Sequence, residues 1–195
     1  MSKLAAEFVG AHLVAAGQLI DSDPQQALEH ARAARGRGAR VGAVREATGL
    51  AAYHAGEWAE ALSELRAARR ISGDASNIAV MADCERALGR PERALKSIED
   101  PVVRKLDAAT RAELLIVVAG ARRDLGQLDA ALAVLERGGL DRANPKAGSA
   151  RLWYAYADAL EAAGRNEDAV TWFGAAAQVD YTDETDAADR AANLL

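Results

Sequence analysis

The stretch LLIVVAGARRDLGQLDAALAVLE, residues 114–136, decides the fold. Leu114, Val118, Ala121 and Leu125 recur at the three- and four-residue spacing of one helix face. Gly126 then interrupts, because glycine accepts the left-handed backbone that closes a helix. A short turn leads into a second apolar run, Ala131, Leu132 and Leu135. The stretch therefore predicts two antiparallel helices folded into a hairpin.

Working outward from Ala131, the same pattern recurs at Ala27, Ala61, Ala94 and Ala169, with successive spacings of 34, 33, 37 and 38 residues. An aliphatic residue follows each: Leu28, Leu62, Leu95, Leu132 and Val170. Five positions before each stands Gly56, Gly89, Gly126 or Gly164, with Ser22 in the first unit. Twelve before each is a small residue, Ala15, Gly49, Ala82, Ala119 or Ala157, expected where the two helices of a hairpin touch. Asp23-Pro24 and Pro91 supply helix-start signals. The chain is thus expected to be all-α over residues 1–195 as one repeat domain. Its five hairpins fall at about 3–37, 40–71, 75–100, 108–137 and 147–179, with a capping helix at about 183–195. A cap is needed because an open stack exposes its apolar face. Two connections exceed the repeat, one around Glu99-Asp100-Pro101 and one from Arg137 to Ser149, the second being the candidate mobile loop.

Composition agrees. Alanine supplies about a quarter of the 195 residues, only four are proline and 5% are aromatic. That favours closely packed helices over a sandwich or barrel. A net charge of −5 gives no general attraction to nucleic acid. The single Cys84 excludes an internal disulfide and fits a reducing, cytoplasmic setting. No uninterrupted apolar run approaches the roughly 18 residues of a membrane span.

The period, the small residues and the placement of Trp153, Ala157, Ala169 and Phe173 resemble the tetratricopeptide repeat, and the chain is similar to small alanine- and arginine-rich repeat proteins of actinobacteria. The resemblance implies a right-handed superhelical solenoid and a noncatalytic scaffold that holds a protein or peptide in a concave groove lined by the first helices. It puts Tyr53, His54, Asp83, Arg86, Arg123, Arg151, Tyr154 and Asp158 on that side. Arginine and tyrosine together make an acidic or carboxylate-bearing peptide the natural guest. The lysine, asparagine and arginine clamp that some such repeats use for a chaperone tail is replaced here by residues such as His12, Ala16, Ala79 and Asp83.

A second reading assigns nucleic acid or another anionic partner to Arg32, Arg35, Arg37, Arg40 and Arg45, which run without an intervening acid. The acidic stretch from Asp180 to Asp189, relieved only by Arg190, would allow weak head-to-tail self-association of an otherwise monomeric chain. Nothing calls for a cofactor or metal. Gly36, Gly38 and Gly42 miss the dinucleotide spacing, and His12, His30 and His54 lack metal-ligand spacing. Glu85 and Arg122, where the family buries an aromatic, each need a partner, most simply one another.

Overall fold

The computed structural model describes residues 2–194. The chain forms α1 (Lys3–Leu19), α2 (Pro24–Gly38), α3 (Gly42–His54), α4 (Trp58–Ser72), α5 (Ile78–Ala87) and α6 (Pro91–Lys96). Two 3-10 turns, Ser97–Glu99 and Pro101–Lys105, precede α7 (Ala108–Asp124), α8 (Leu128–Glu136), α9 (Ser149–Ala162), α10 (Asn166–Val179) and α11 (Ala187–Asn193). Among the described residues no strand forms. The helices gather into two compact units, Met1–Gly89 and Arg90–Leu195. The division falls at the turn of the third hairpin, so α5 closes the first unit and α6 opens the second.

Within each unit one turn chemistry recurs. Gly56, Gly126 and Gly164 have φ of +78°, +72° and +74°. Each donates its N–H three residues back, to Tyr53, Arg123 and Glu161. The next residue donates five back: Glu57 to Ala52, Gln127 to Arg122, Arg165 to Leu160. These are paired closing bonds that satisfy carbonyls a helix end leaves open. Gly89 shares the left-handed backbone, at φ +72°. The five aligned alanines, Ala27, Ala61, Ala94, Ala131 and Ala169, are wholly buried. In the α3–α4 hairpin Gly49 goes further. A Cβ there would lie 2.7 Å from Leu65 Cγ and 3.1 Å from the Leu65 backbone nitrogen.

The first hairpin departs from this plan. Its turn lacks the glycine and is capped by Asp23, whose side chain accepts from the Gln26 N–H at 3.0 Å. In α1 it is Ala16 that is buried where the alignment expects Ala15, which is half-buried. The final helix also starts later than residue 183. The Asp180 carboxylate accepts from the Glu184 and Thr185 N–H groups at 2.9 and 2.8 Å, and Asp183 sits at φ +52°. That hydrogen-bonded loop delays α11 to Ala187, which is buried. The last residue of the expected cap, Leu195, lies outside the described residues. The long connection after α8 is held locally, by Asp141 accepting from the Ala143 N–H at 3.0 Å and by Ser149 Oγ accepting from the Lys146 N–H at 2.8 Å.

Glu85, a polar intruder in α5, is 4% exposed and meets Arg66 at 2.5 Å. Arg122 donates to Gln127 Oε1 at 2.6 Å.

Candidate functional site

In the first unit the candidate groove residues lie on α3 and α5. The Tyr53 hydroxyl donates to Asp83 Oδ2 at 2.6 Å, and Arg86 donates to Asp83 Oδ1 at 2.8 Å. One carboxylate thus ties an aromatic of one first helix to an arginine of the next first-helix position. Burial, then the Asp83 carboxylate, raises the Tyr53 phenol well above its ordinary value, so it stays a donor. Its ring meets Trp58 edge-on at 5.3 Å. Beside this set, Asn77 Nδ2 donates to Glu46 Oε1 at 2.8 Å. His54 is exposed, with Nδ1 3.9 Å from an Asp21 carboxylate oxygen.

In the second unit the candidates lie on α7 and α9. Arg151 donates to both oxygens of Glu113, at 2.6 and 3.0 Å. Arg123 pairs with Asp158 Oδ2. A residue that sequence reasoning left out of the site completes this group. Arg190, on the capping helix α11, reaches back to Asp158 Oδ1 at 3.0 Å, Glu161 Oε2 at 2.5 Å and the Tyr154 hydroxyl at 3.0 Å. Its guanidinium also lies 4.7 Å from the centre of the Phe173 ring. Burial alone would push the Asp158 carboxyl up, but hydrogen bonds from Arg123 and Arg190 overcome it and hold Asp158 below the usual carboxylate range. The sequence signal for Arg190 was its position as the one cation in an acidic run.

The arginine run Arg32–Arg45 is a different matter, and here the sequence expectation is corrected. Arg32 pairs with Glu60 at 2.5 Å, and Arg35 bridges Glu60 and Glu64 at 3.0 and 2.7 Å. Arg45 pairs with Glu64 at 2.8 Å and donates to the Ala39 carbonyl at 2.8 Å. Arg37 stacks 3.9 Å over the Phe8 ring, and only Arg40 of the five stands exposed without such a contact among the described residues. The run looked unopposed because its acids sit on α4, some 25 residues further along. Charges already neutralised within the fold offer little to an anionic partner, so nucleic-acid binding through this cluster is not favoured.

Two further contacts escaped the sequence. His12 and His30 lie in the first hairpin with their Nδ1 atoms 2.9 Å apart, one ring donating to the other. Cys84 is fully buried, and burial, with Asp83 and Glu85 beside it, pushes its thiol up to about 12. Among the described residues no three His, Cys, Asp or Glu side chains converge as metal ligands would. No described helix is long and apolar enough to cross a membrane.

No protein-family model matches the sequence. No curated protein matches it either. Solved structures do resemble it. One is pilF of Pseudomonas aeruginosa, 16% identical, with a TM-score of 0.62 over 98% of this chain and 90% of that one. Another is YrrB, described as a TPR protein with an unusual peptide-binding site, 17% identical, with a TM-score of 0.53 over 93% of this chain and 90% of that one. The repeated glycine-closed hairpins, the buried alanine column and these likenesses together give the chain the helical-repeat fold of tetratricopeptide proteins.

Proposed function

We propose that the chain is a noncatalytic cytoplasmic scaffold that binds a peptide segment of a protein partner against the first helices of its hairpins. The observation that carries this reading is the recurrence, in each unit, of an aspartate that gathers a tyrosine hydroxyl or an arginine from neighbouring first helices. Half-exposed tyrosine and arginine side chains held in fixed positions are the composition of binding hot spots, since they lose little freedom on contact. An acidic peptide is the guest of choice. Within either unit a peptide carboxylate would exchange with the aspartate, with Asp83 for Arg86 or with Asp158 for Arg123, while Tyr53 or Tyr154 supplies contact area. The peptide-binding site named for YrrB supports such a use of the fold.

The test is an array of acidic, neutral and basic peptides probed with the intact chain, followed by titration of the best binder. Replacing Arg86 or Arg123 with alanine should weaken that binder by about tenfold or more. Unchanged affinity in both variants, with helicity intact, would place the partner elsewhere.

A further inference from the structure

The repeat plan is broken most in the second unit. In the first, hairpins are joined through residues 39–41 and 73–77. In the second, residues 97–107 insert two 3-10 turns, and residues 137–148 insert an irregular loop. A stack of helical hairpins needs neither insertion for its own packing, and insertions in such arrays collect on functional faces.

Both insertions wall cavities over the same helix, α7. The first segment bounds a cavity of about 450 Å³ that reaches Arg111, Leu114 and Leu115. The second bounds one of about 320 Å³ over Arg111, Ala112 and Leu115. Arg111, Leu115 and Arg137 border both. The wall of the smaller cavity is closely packed at two glycines. A Cβ on Gly138 would lie 2.5 Å from Leu152 Cδ2, and Gly148 has φ +84° with a Cβ position 3.0 Å from that of Ala112.

The chemistry of the smaller cavity is unlike that of the helix faces. Buried Leu115 and Leu152 give it an apolar floor, and Arg111, Arg137 and Lys146 give it cations, with no carboxylate in its lining. Arg111 is occupied: its Nη2 donates to the carbonyls of Val103, Arg104 and Leu106 at 3.2–3.4 Å, tying the first insertion to α7. Among the described residues no carboxylate forms an ion pair with Arg137 or Lys146; Asp141, held below the ordinary carboxylate range first by its hydrogen bonds from Asn144 and Ala143, also feels the charge of Lys146. In a chain of net charge −5, where most of the helix-face arginines described above meet carboxylates, Arg137 and Lys146 are left for an outside anion to pair with.

We propose that this cavity binds a small carboxylate carrying an apolar group, with the apolar part on Leu115 and Leu152 and the carboxylate held by Arg137 and Lys146. Guanidinium and ammonium groups together favour a carboxylate, and an apolar floor rewards an attached aliphatic chain. A free aliphatic acid and the C-terminus of a peptide ending in an apolar residue share this chemistry. Its lining shares no residue with the peptide surface proposed above.

The full chain is titrated with N-acetyl-leucine, its neutral amide N-acetyl-leucinamide, octanoate and inorganic phosphate, followed by calorimetry and by amide shifts of Gly138, Gly139 and Gly148. A carboxylate probe should bind with shifts at these glycines, and the amide should bind at least about tenfold more weakly. Tighter binding of N-acetyl-leucine assigns a peptide terminus, and tighter binding of octanoate a free acid. Arg137→Gln with Lys146→Gln should cut affinity by about tenfold or more with the thermal midpoint unchanged. Lys146→Glu alone, on an exposed loop position, should do the same if the double variant folds poorly. Arg86→Ala should leave these titrations unaltered, which separates this site from the peptide reading above. No binding of either carboxylate at millimolar concentration, equal binding of the amide, phosphate binding as tightly as both carboxylates, or unchanged binding in folded variants would overturn the proposal.

Discussion

Glu64 is the residue on which the first unit turns. Its side chain is 6% exposed, and it accepts from Arg35 on α2 and Arg45 on α3 while belonging to α4. A buried carboxylate without partners would be costly, but the hydrogen bonds of two guanidinia compensate it here. Replacing Glu64 with alanine leaves two half-buried cations facing each other. Chemical denaturation of Glu64→Ala should show a loss of about 1–3 kcal/mol, with Glu64→Gln losing less because the amide oxygen still accepts. Nothing in the sequence marks this residue. Legibility stopped where a partner came from another helix: Arg32, Arg35 and Arg45 read as a free basic run because only the fold brings Glu60 and Glu64 to them. The same holds for His12 and His30, whose separation of 18 residues matches no local motif. Tyr53, Asp83 and Arg86, by contrast, lie on α3 and α5, the first helices to which the family resemblance assigned them.

At the scale of the element, the hairpin turns were the most legible feature. Glycine five residues before a buried alanine is a local code, and every such glycine adopts the left-handed backbone. What could not be read was which alanine of α1 is buried, Ala16 rather than Ala15, and the start of α11, which depends on Asp180 folding back on Glu184 and Thr185. The turn code makes a clean prediction. A Cβ on Gly126 would meet nothing within 4 Å, so Gly126→Ala tests backbone conformation alone. An L-residue forced to φ near +72° should lower stability by about 1–2 kcal/mol, measurable as a lowered midpoint of denaturant unfolding. Gly164→Ala should behave alike, since its Cβ also meets nothing. Gly49→Ala should fail for the opposite reason, by collision with Leu65 rather than by backbone strain.

At the scale of the molecule, each unit carries carboxylates that the fold holds ionised. Hydrogen bonding from Arg32 lowers the Glu60 carboxyl in the first unit, and Arg123 with Arg190 lowers Asp158 in the second against the opposing effect of burial. A carboxyl whose value falls on folding stabilises the native state above the ordinary carboxylate range. That contribution is lost as pH drops through the lowered value. Thermal midpoints should therefore hold between neutrality and about pH 5 and fall below about pH 4. Glu60→Gln and Asp158→Asn should start lower at neutral pH and show a shallower acid decline. An acid decline as steep in both variants as in the parent would assign it to other groups.

Cys84 turns one of these units into its own stopwatch. The thiol is the only one in the chain, is sealed inside α5 and is held protonated by its surroundings, so a thiol reagent can reach it only while the first unit is open. If reclosing outpaces the reagent, the labelling rate divided by that of an unfolded peptide thiol equals the fraction of time spent open. In native buffer at pH 8 modification should run orders of magnitude slower than in denaturant, and Gly49→Ala should quicken it by about the factor its destabilisation implies, roughly tenfold for each 1.4 kcal/mol. The breathing of half this protein can thus be timed by chemistry, without attaching a dye or adding a residue.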